Sequence, residues 1–310
     1  MIEIPAELVA SQARFNGEAG RAFVAALPGR AAEFLDRWGL RVTGPSMCGM
    51  ASLVLPVTRV ADGVRAALKM QLLDEESEGE AAALRVWDGS GAVRLLADDP
   101  GTGTLLLERL DEGRHLSTLA DAREAVGILA DLVARVVAVP APDGLRGLGD
   151  IAARMVAATP GAAARLGAED AALLRDCAAA VREVMGEPGD RLLHWDLHYD
   201  NVLAAEREPW LAIDPKPLVG DPGFDLLPAL TNLWEADPAA GTLWRFDLLT
   251  ERLGLDRGRA LAWTLGRVLQ NGLWDVEDGE EALDPDQVSI ARTLMARGVD
   301  GLRARYMIRT

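Results

Sequence analysis

From Pro45 to Leu110 apolar positions fall in short runs broken by turn residues, whereas beyond Asp111 they recur at three- and four-residue spacing. The first texture predicts strands and the second predicts helices. Leu53–Val60 and Val64–Met70 flank Asp62-Gly63, a dipeptide that favours a tight hairpin turn. Asp74–Trp87 is rich in Glu and Ala, has acids in its first turns and Gly89 beyond its end, and so predicts one helix. Ala92–Ala97 and Thr104–Leu110 predict two more strands around Asp98-Asp99-Pro100-Gly101, and a further strand is expected near Val42–Ser46.

Helical spacing then runs through Leu116–Val139, Leu148–Ala158, Ala168–Met185, Asp225–Glu235, Leu243–Leu253, Arg257–Trp274 and Pro285–Tyr306. One β-like island interrupts it, Val202–Ala204 and Trp210–Ile213 joined across Glu206-Arg207-Glu208. A small sheet-rich part followed by a larger helical part belongs to the α+β class. The expected division is 1–110, with the sheet and one helix, and 111–310, with a junction near Glu108–Gly113. The most apolar long segment, Ile128–Val139, is broken by Asp131 and Arg135 and is too short to span a bilayer.

Composition narrows the partners. The 310 residues are 49% hydrophobic and 26% charged, as in an ordinary globular chain, but 32 Lys+Arg against 48 Asp+Glu leave a net charge of −16. Gripping a nucleic-acid backbone requires many basic residues, so no nucleic-acid partner is expected. An acidic chain attracts cations at long range, which makes a cationic small molecule the partner to consider. Cys48 and Cys177 stand alone without a CxxC pairing, and Met1-Ile2-Glu3-Ile4-Pro5 has no basic stretch leading an apolar one. Neither a disulfide framework nor a secretory signal is expected, and a reducing cytoplasm is.

The chemistry concentrates in His194-Trp195-Asp196-Leu197-His198-Tyr199-Asp200-Asn201 and, after the β-like island, Ile213-Asp214-Pro215-Lys216. Two His, two Asp, an Asn, a Trp and a Tyr within eight residues predict a site. His-x-Asp-x-x-x-x-Asn matches the catalytic loop of kinases, in which the Asp accepts the attacking hydroxyl's proton and the Asn holds Mg²⁺. Asp214 stands where such a fold places its second metal-binding carboxylate. Phosphoryl transfer needs hard oxygen ligands and positioning, which Asp196, Asn201 and Asp214 supply. The alternating His194, Asp196 and His198 allow a zinc site as the rival, although the remaining histidine, His115, is far away in sequence. A satisfied polar loop without catalysis is the other alternative.

A kinase reading demands more of the chain. Val64-Arg65-Ala66-Ala67-Leu68-Lys69 resembles Val-Ala-Ile-Lys, making Lys69 the candidate phosphate-binding lysine. Lys69 and Lys216 are the only lysines in a chain that otherwise uses arginine. Glu80 shares a helical stripe with Leu84 and Trp87 and is the candidate partner of Lys69, with Glu76 as the alternative. Ser46-Met47-Cys48-Gly49-Met50-Ala51-Ser52 is the candidate loop over the phosphates, marked by Ser46 and Gly49, and Leu107-Glu108-Arg109-Leu110 offers backbone groups of Glu108 and Leu110 to adenine.

Together with Gly220-Asp221-Pro222-Gly223-Phe224-Asp225 and Leu105–Arg109, these motifs resemble the aminoglycoside phosphotransferases, specifically the streptomycin 6-phosphotransferase and hydroxyurea-resistance kinase branch. The resemblance implies a bilobal kinase-like fold, ATP and Mg²⁺ as cofactors, and transfer to a hydroxyl of a small compound. It implies Asp196 as catalytic base, Asn201 and Asp214 as metal ligands, and Lys69 with Glu80 at the phosphates. Asp225 is similar to an acid that buttresses the catalytic loop, though it also counts among the candidate acceptor-binding residues and a helix N-cap role remains open. Asp214 is followed by Pro-Lys where protein kinases have Phe-Gly, which argues for a small-molecule kinase. Trp234, Glu235, Gln270, Trp274, Asp275, Glu277 and Asp278 join aromatic faces to carboxylates and amides, which suits a cationic acceptor. Aminoglycoside phosphorylation leads, an amino-sugar kinase is its rival, and a catalytically silent nucleotide-binding protein is the alternative of another class.

Overall fold

The computed structural model describes residues 2–231 and 237–307, with side chains up to residue 297. The chain divides into two compact units, 1–113 with 204–211 and 114–203 with 212–310.

The first unit begins with α1 (Ala6–Phe15) and α2 (Gly17–Arg37). Strands β1 (Leu40–Val42), β2 (Met47–Cys48), β3 (Ser52–Arg59) and β4 (Arg65–Gln71) follow, then α3 (Glu80–Trp87), β5 (Leu95–Asp99) and β6 (Thr104–Glu108). The sheet order is β1-β3-β4-β6-β5 with β2 on β3, antiparallel throughout. Phe23, Leu27, Ala31 and Phe34 recur at helical spacing on α2 and share one core with Leu53, Leu55, Leu68 and Met70 of the sheet.

Several boundaries differ from the pattern expected above, for local reasons. The first unit holds three helices where one was expected, because α1 and α2 precede its sheet. The helix expected from Asp74 starts only at Glu80. Asp74 accepts hydrogen bonds from the N–H groups of Glu76 and Ser77 and from the Ser77 hydroxyl, and these local bonds compete with helix formation. Strand β5 starts at Leu95 and continues through Asp98 and Asp99, which the pattern gave to a turn. The turn comes later, where Asp99 Oδ1 accepts from the N–H and hydroxyl of Thr102.

Between the first sheet and the helices lies β7 (Asp111–His115), an exposed strand the pattern did not predict. Then follow α4 (Ala122–Val136), β8 (Arg146–Gly147), α5 (Leu148–Ala163), α6 (Ala168–Val184), β9 (Arg191–Leu193), β10 (Val202–Ala204), β11 (Trp210–Ala212) and β12 (Leu218–Gly220). The chain continues through α7 (Leu227–Thr231), α8 (Pro238–Leu253), α9 (Arg257–Glu277) and α10 (Pro285–Met307). Aspartates cap α4, α8 and α9, each side chain accepting first-turn N–H groups. Helix α9 is buried almost all round and packs against α5, α6, α10 and the single turn 222–225. In a three-stranded sheet β12 pairs parallel with β8 and antiparallel with β9, so β9 runs straight into His194. None of the described helices is long and apolar enough to cross a membrane.

Arg207, at the tip of the β10–β11 hairpin, uses its whole guanidinium. It donates to both oxygens of Glu108, to the carbonyls of Gly89 and Ala92, and to Glu208. Glu108 Oε1 also accepts from the Arg94 N–H at 2.8 Å. Lysine cannot reproduce this fork. Arg207→Lys should therefore lower stability by about 2 kcal/mol, the scale of lost charge-assisted bonds, and thermal unfolding should show a midpoint several degrees lower.

Candidate active site

In the first unit the candidate phosphate lysine is fixed by its own helix. Lys69 Nζ lies 2.7 Å from each oxygen of Glu80, and Gln71 Nε2 donates to Glu80 Oε2 at 2.7 Å. Both partners are almost fully buried. A buried pair contributes little net stability once desolvation is counted, so its consequence is positional: the ammonium is held at one point. Across the sheet Met47 stands opposite Val54, and Val54 opposite Lys69, which sets the Gly49 turn at the same end of the strands. Ser46 precedes β2, and the Gly49 N–H closes the turn on the Ser52 carbonyl at 3.0 Å. The Glu108 N–H is already bonded to the Arg94 carbonyl and its carboxylate to Arg207, which makes Glu108 a support of its segment; Leu110 is buried just beyond.

In the second unit the catalytic loop is built on one carboxylate. Asp225, in the single turn 222–225, accepts the N–H of His194 through Oδ2 and of Trp195 through Oδ1, both at 2.8 Å. The turn sits tightly on α9: a Cβ on Gly223 would meet the Ala260 Cα at 2.9 Å. Asp225 is 1% exposed with both oxygens committed to the loop, so its place is beneath the loop and not among groups that face an acceptor. Burial pushes its pKa up to about 7 against the two N–H bonds and the charge of Arg267. His194 is buried with Nε2 at 3.0 Å from the Ile213 carbonyl, and burial holds it neutral, down to about 3.

The loop then turns the chemistry outward. Trp195 and Asp214 both adopt left-handed backbone, φ 66° and 56°, which non-glycine residues take at a cost met by the surrounding bonds. The Asn201 Nδ2 donates to the Asp196 carbonyl at 2.9 Å, and the Ile213 N–H to the Asn201 carbonyl at 2.9 Å. Lys216 Nζ is 3.5 Å from Asp214 Oδ1. Burial raises the Asp196 pKa and Asp214 adds to the rise, while His198, Arg267 and Lys216 pull it down. Asp196, Asn201 and Asp214 thus form one group, whereas no cluster of three His, Cys, Asp or Glu suited to a metal occurs among the described residues. That disfavours a zinc site. Hard oxygens from an amide and a carboxylate match Mg²⁺, which keeps water and phosphate as its other ligands.

Beside Asp196 opens a pocket of about 360 Å³. The catalytic loop contributes Asp196, His198 and Asp200, α9 contributes Arg267 and Asn271, and the start of α10 contributes Asp284, Asp286 and Gln287. Arg267 lies over the rings of Trp195 and Trp274, at 4.9 and 5.2 Å. Of the residues expected to bind an acceptor, Trp274 serves in this stack, and Gln270 is buried on α9 outside the lining. Glu277 and Asp278 are exposed at the end of α9, about 10 Å along the axis past Asn271 at 1.5 Å per residue, and do not line the pocket. Asp275 is half-buried at the same end, where its Oδ2 accepts the Asp284 N–H at 3.4 Å. Trp234 and Glu235 lie outside the described residues. The α10 acids had one local signal, Asp284-Pro285 as a helix start, but nothing in sequence places them beside a loop some eighty residues earlier.

A family model for aminoglycoside/hydroxyurea antibiotic resistance kinases matches residues 37–279. The chain belongs to that family. It is similar to a hydroxyurea phosphotransferase of Kitasatospora aureofaciens, 65% identical over 300 residues, 96% of this chain and 87% of that one. It is also similar to a streptomycin 6-kinase of Streptomyces glaucescens, 58% identical over 300 residues, 95% and 97% of the two chains. In fold it resembles aminoglycoside phosphotransferase APH(4)-Ia, crystallised with ADP and hygromycin B, at TM-score 0.60 and 15% identity over 86% and 96% of the chains. Choline kinase LicA of Streptococcus pneumoniae gives TM-score 0.52 at 13% identity over 90% and 99%. This family kinase therefore has the kinase-like α+β fold expected from its motifs and is a small-molecule kinase, of the branch its sequence resembles.

The opposite shifts of His194 and Asp225 make a test of the loop's foundation. Between about 3 and 6.5 folded His194 binds fewer protons than unfolded, so its contribution to stability rises with pH. Between 3.8 and about 7 folded Asp225 binds more protons than unfolded, so its contribution falls with pH. In Asp225→Asn the falling contribution disappears, and denaturant titrations from pH 4 to 6.5 should show stability rising more steeply than in the wild type. The variant should also lose about 1–3 kcal/mol at neutral pH, because one loop N–H then faces an amide NH₂.

Proposed function

We propose that this kinase transfers the γ-phosphate of ATP to a hydroxyl of a cationic aminoglycoside, with streptomycin as the leading acceptor. The observation that carries the proposal is the pocket beside Asp196, whose lining brings Asp200, Asp284 and Asp286 together with the base. Protonated amines and guanidinium groups suit such a wall. The streptomycin 6-kinase relative supports the same class. The hydroxyurea phosphotransferase relative supports a second acceptor, small and neutral, which needs neither the acids nor a space of this size.

In this mechanism Asp196 orients the acceptor hydroxyl and takes its proton as the new P–O bond forms and the bond from the γ-phosphorus to ADP breaks. Lys69, held by Glu80, faces the donor's phosphates. Mg²⁺ held by Asn201 and Asp214 would supply charge neutralisation on those phosphates. His194 and Asp225 hold the loop from beneath, and Lys216 balances Asp214. Free Cys48 and Cys177 and the use of ATP support a cytoplasmic location.

Three experiments test the proposal. ADP release should depend on added acceptor, and in a panel of streptomycin, glucosamine and hydroxyurea streptomycin should give the highest kcat/KM; release with hydroxyurea alone would overturn the acceptor assignment. Asp196→Ala should cut turnover by at least about 10³-fold, the scale for removing a catalytic base, with Mg-ATP affinity largely kept. Asp214→Ala should instead weaken Mg-ATP binding, measured by calorimetry with and without EDTA.

A further inference from the structure

Residues 1–36 precede the segment that the family model covers, yet one helix within them holds the Gly49 turn. Ser11 Oγ donates to the Met50 carbonyl at 2.9 Å, and Gln12 Nε2 donates to the same oxygen at 3.3 Å. Gln12 is 1% exposed, and its Oε1 accepts from Asn16 Nδ2 at 3.1 Å, which fixes the amide with its nitrogen toward the turn. The Met50 side chain is 69% exposed, so α1 grips the backbone and not the side chain. An exposed turn ordinarily leaves its carbonyls to water. Here one carbonyl lies within reach of two side-chain donors from a helix almost forty residues earlier, the Ser11 hydroxyl standing closer to it than to the Leu8 carbonyl at 3.1 Å.

The hold is rigid. A Cβ on Gly20 would stand 2.1 Å from the Gln12 carbonyl oxygen, so α1 is seated directly on the backbone of α2, and α2 carries the core that covers the sheet. The consequence follows from peptide geometry. No peptide bond among the described residues is cis, and in a trans peptide the carbonyl of one residue and the N–H of the next point in opposite directions. Fastening the Met50 oxygen to α1 therefore turns the Ala51 N–H away from α1. The Gly49 N–H is spent on Ser52 within the turn, which leaves Ala51 to present a donor at the Lys69 end of the strands.

We infer that Ser11 and Gln12 are positioning residues for the nucleotide: by fastening the Met50 carbonyl they aim the Ala51 N–H at the phosphates of ATP. The inference rests on reading Ser46–Ser52 as the loop over those phosphates. It assigns a part in nucleotide binding to a helix outside the family's matched segment.

The test uses the full chain and compares Mg-ATP with adenosine, which lacks phosphates. Ser11→Ala combined with Gln12→Leu should weaken Mg-ATP binding roughly tenfold, the loss of two neutral hydrogen bonds, while adenosine binds as in the wild type. Ser11→Ala alone, at a half-buried position that leaves the core intact, should give a smaller loss in the same direction, and Ser11→Thr, which keeps the hydroxyl, should restore binding. Unchanged Mg-ATP affinity, or an equal loss for ATP and adenosine, would overturn the inference. Lys69→Met measured alongside separates the two levels: if it too keeps full Mg-ATP affinity, the nucleotide reading itself fails, whereas if it alone loses affinity, only the role of α1 fails.

Discussion

The loop His194–Asn201 depends on one buried carboxylate. Asp225 receives the N–H groups of His194 and Trp195, and those two residues set the direction in which Asp196 leaves the β9 strand. A buried acid is costly, and this one is retained because two backbone donors and a nearby guanidinium answer it. Everything above inherits its position. Trp195 is forced into left-handed backbone, its ring is enclosed by Arg146 and Arg267, and Asn201 reaches back to the Asp196 carbonyl to close the loop. The left-handed backbone of Trp195 is held through Asp225 by the turn 222–225 packed on α9.

The same logic governs the first unit with different groups. Lys69 is held by Glu80, which Gln71 braces in turn, and the segment around Glu108 is held by the saturated fork of Arg207. In each unit the candidate side chain, Lys69 or Asp196, is simple and the surrounding bonds are many. That is the expected division for phosphoryl transfer, which asks a protein for placement and charge and very little covalent chemistry.

What could be read in the sequence, and what could not, follows from the range of the interactions. The β3–β4 hairpin was legible because Asp62-Gly63 and the two apolar runs are contiguous, and the closeness of Asp196 and Asn201 because they lie on one short turn. Strands β8, β9 and β12 were not legible, since segments of two or three residues carry no period and exist only through pairing with one another. Helices α1 and α2 escaped because α2 contains Pro28 and three glycines, poor helix formers that tertiary packing of Phe23, Leu27 and Phe34 overrides. That Asp284 and Asp286 stand beside Asp196 was not legible for a similar reason. Proximity to Asp196 is decided by how α10 crosses α9, where Asn271 Nδ2 donates to Gln287 Oε1 at 2.9 Å, and no local pattern encodes that crossing.

Arg267 shows why net charge alone could not locate the acceptor site. It is a cation in the wall of a pocket that also carries Asp196, Asp200, Asp284 and Asp286. Stacking against Trp195 and Trp274 places the guanidinium over aromatic faces at the loop, where its charge acts on Asp196 and Asp225. A lysine there would be a compact, strongly hydrated charge without a planar face to stack, and would compete with the ligand for the pocket. Arginine lets one residue answer the loop's buried acids while it stays stacked on two rings. The chain's charge of −16 is therefore not uniform at this pocket: four carboxylates share its wall with a guanidinium whose place is fixed by two indole rings.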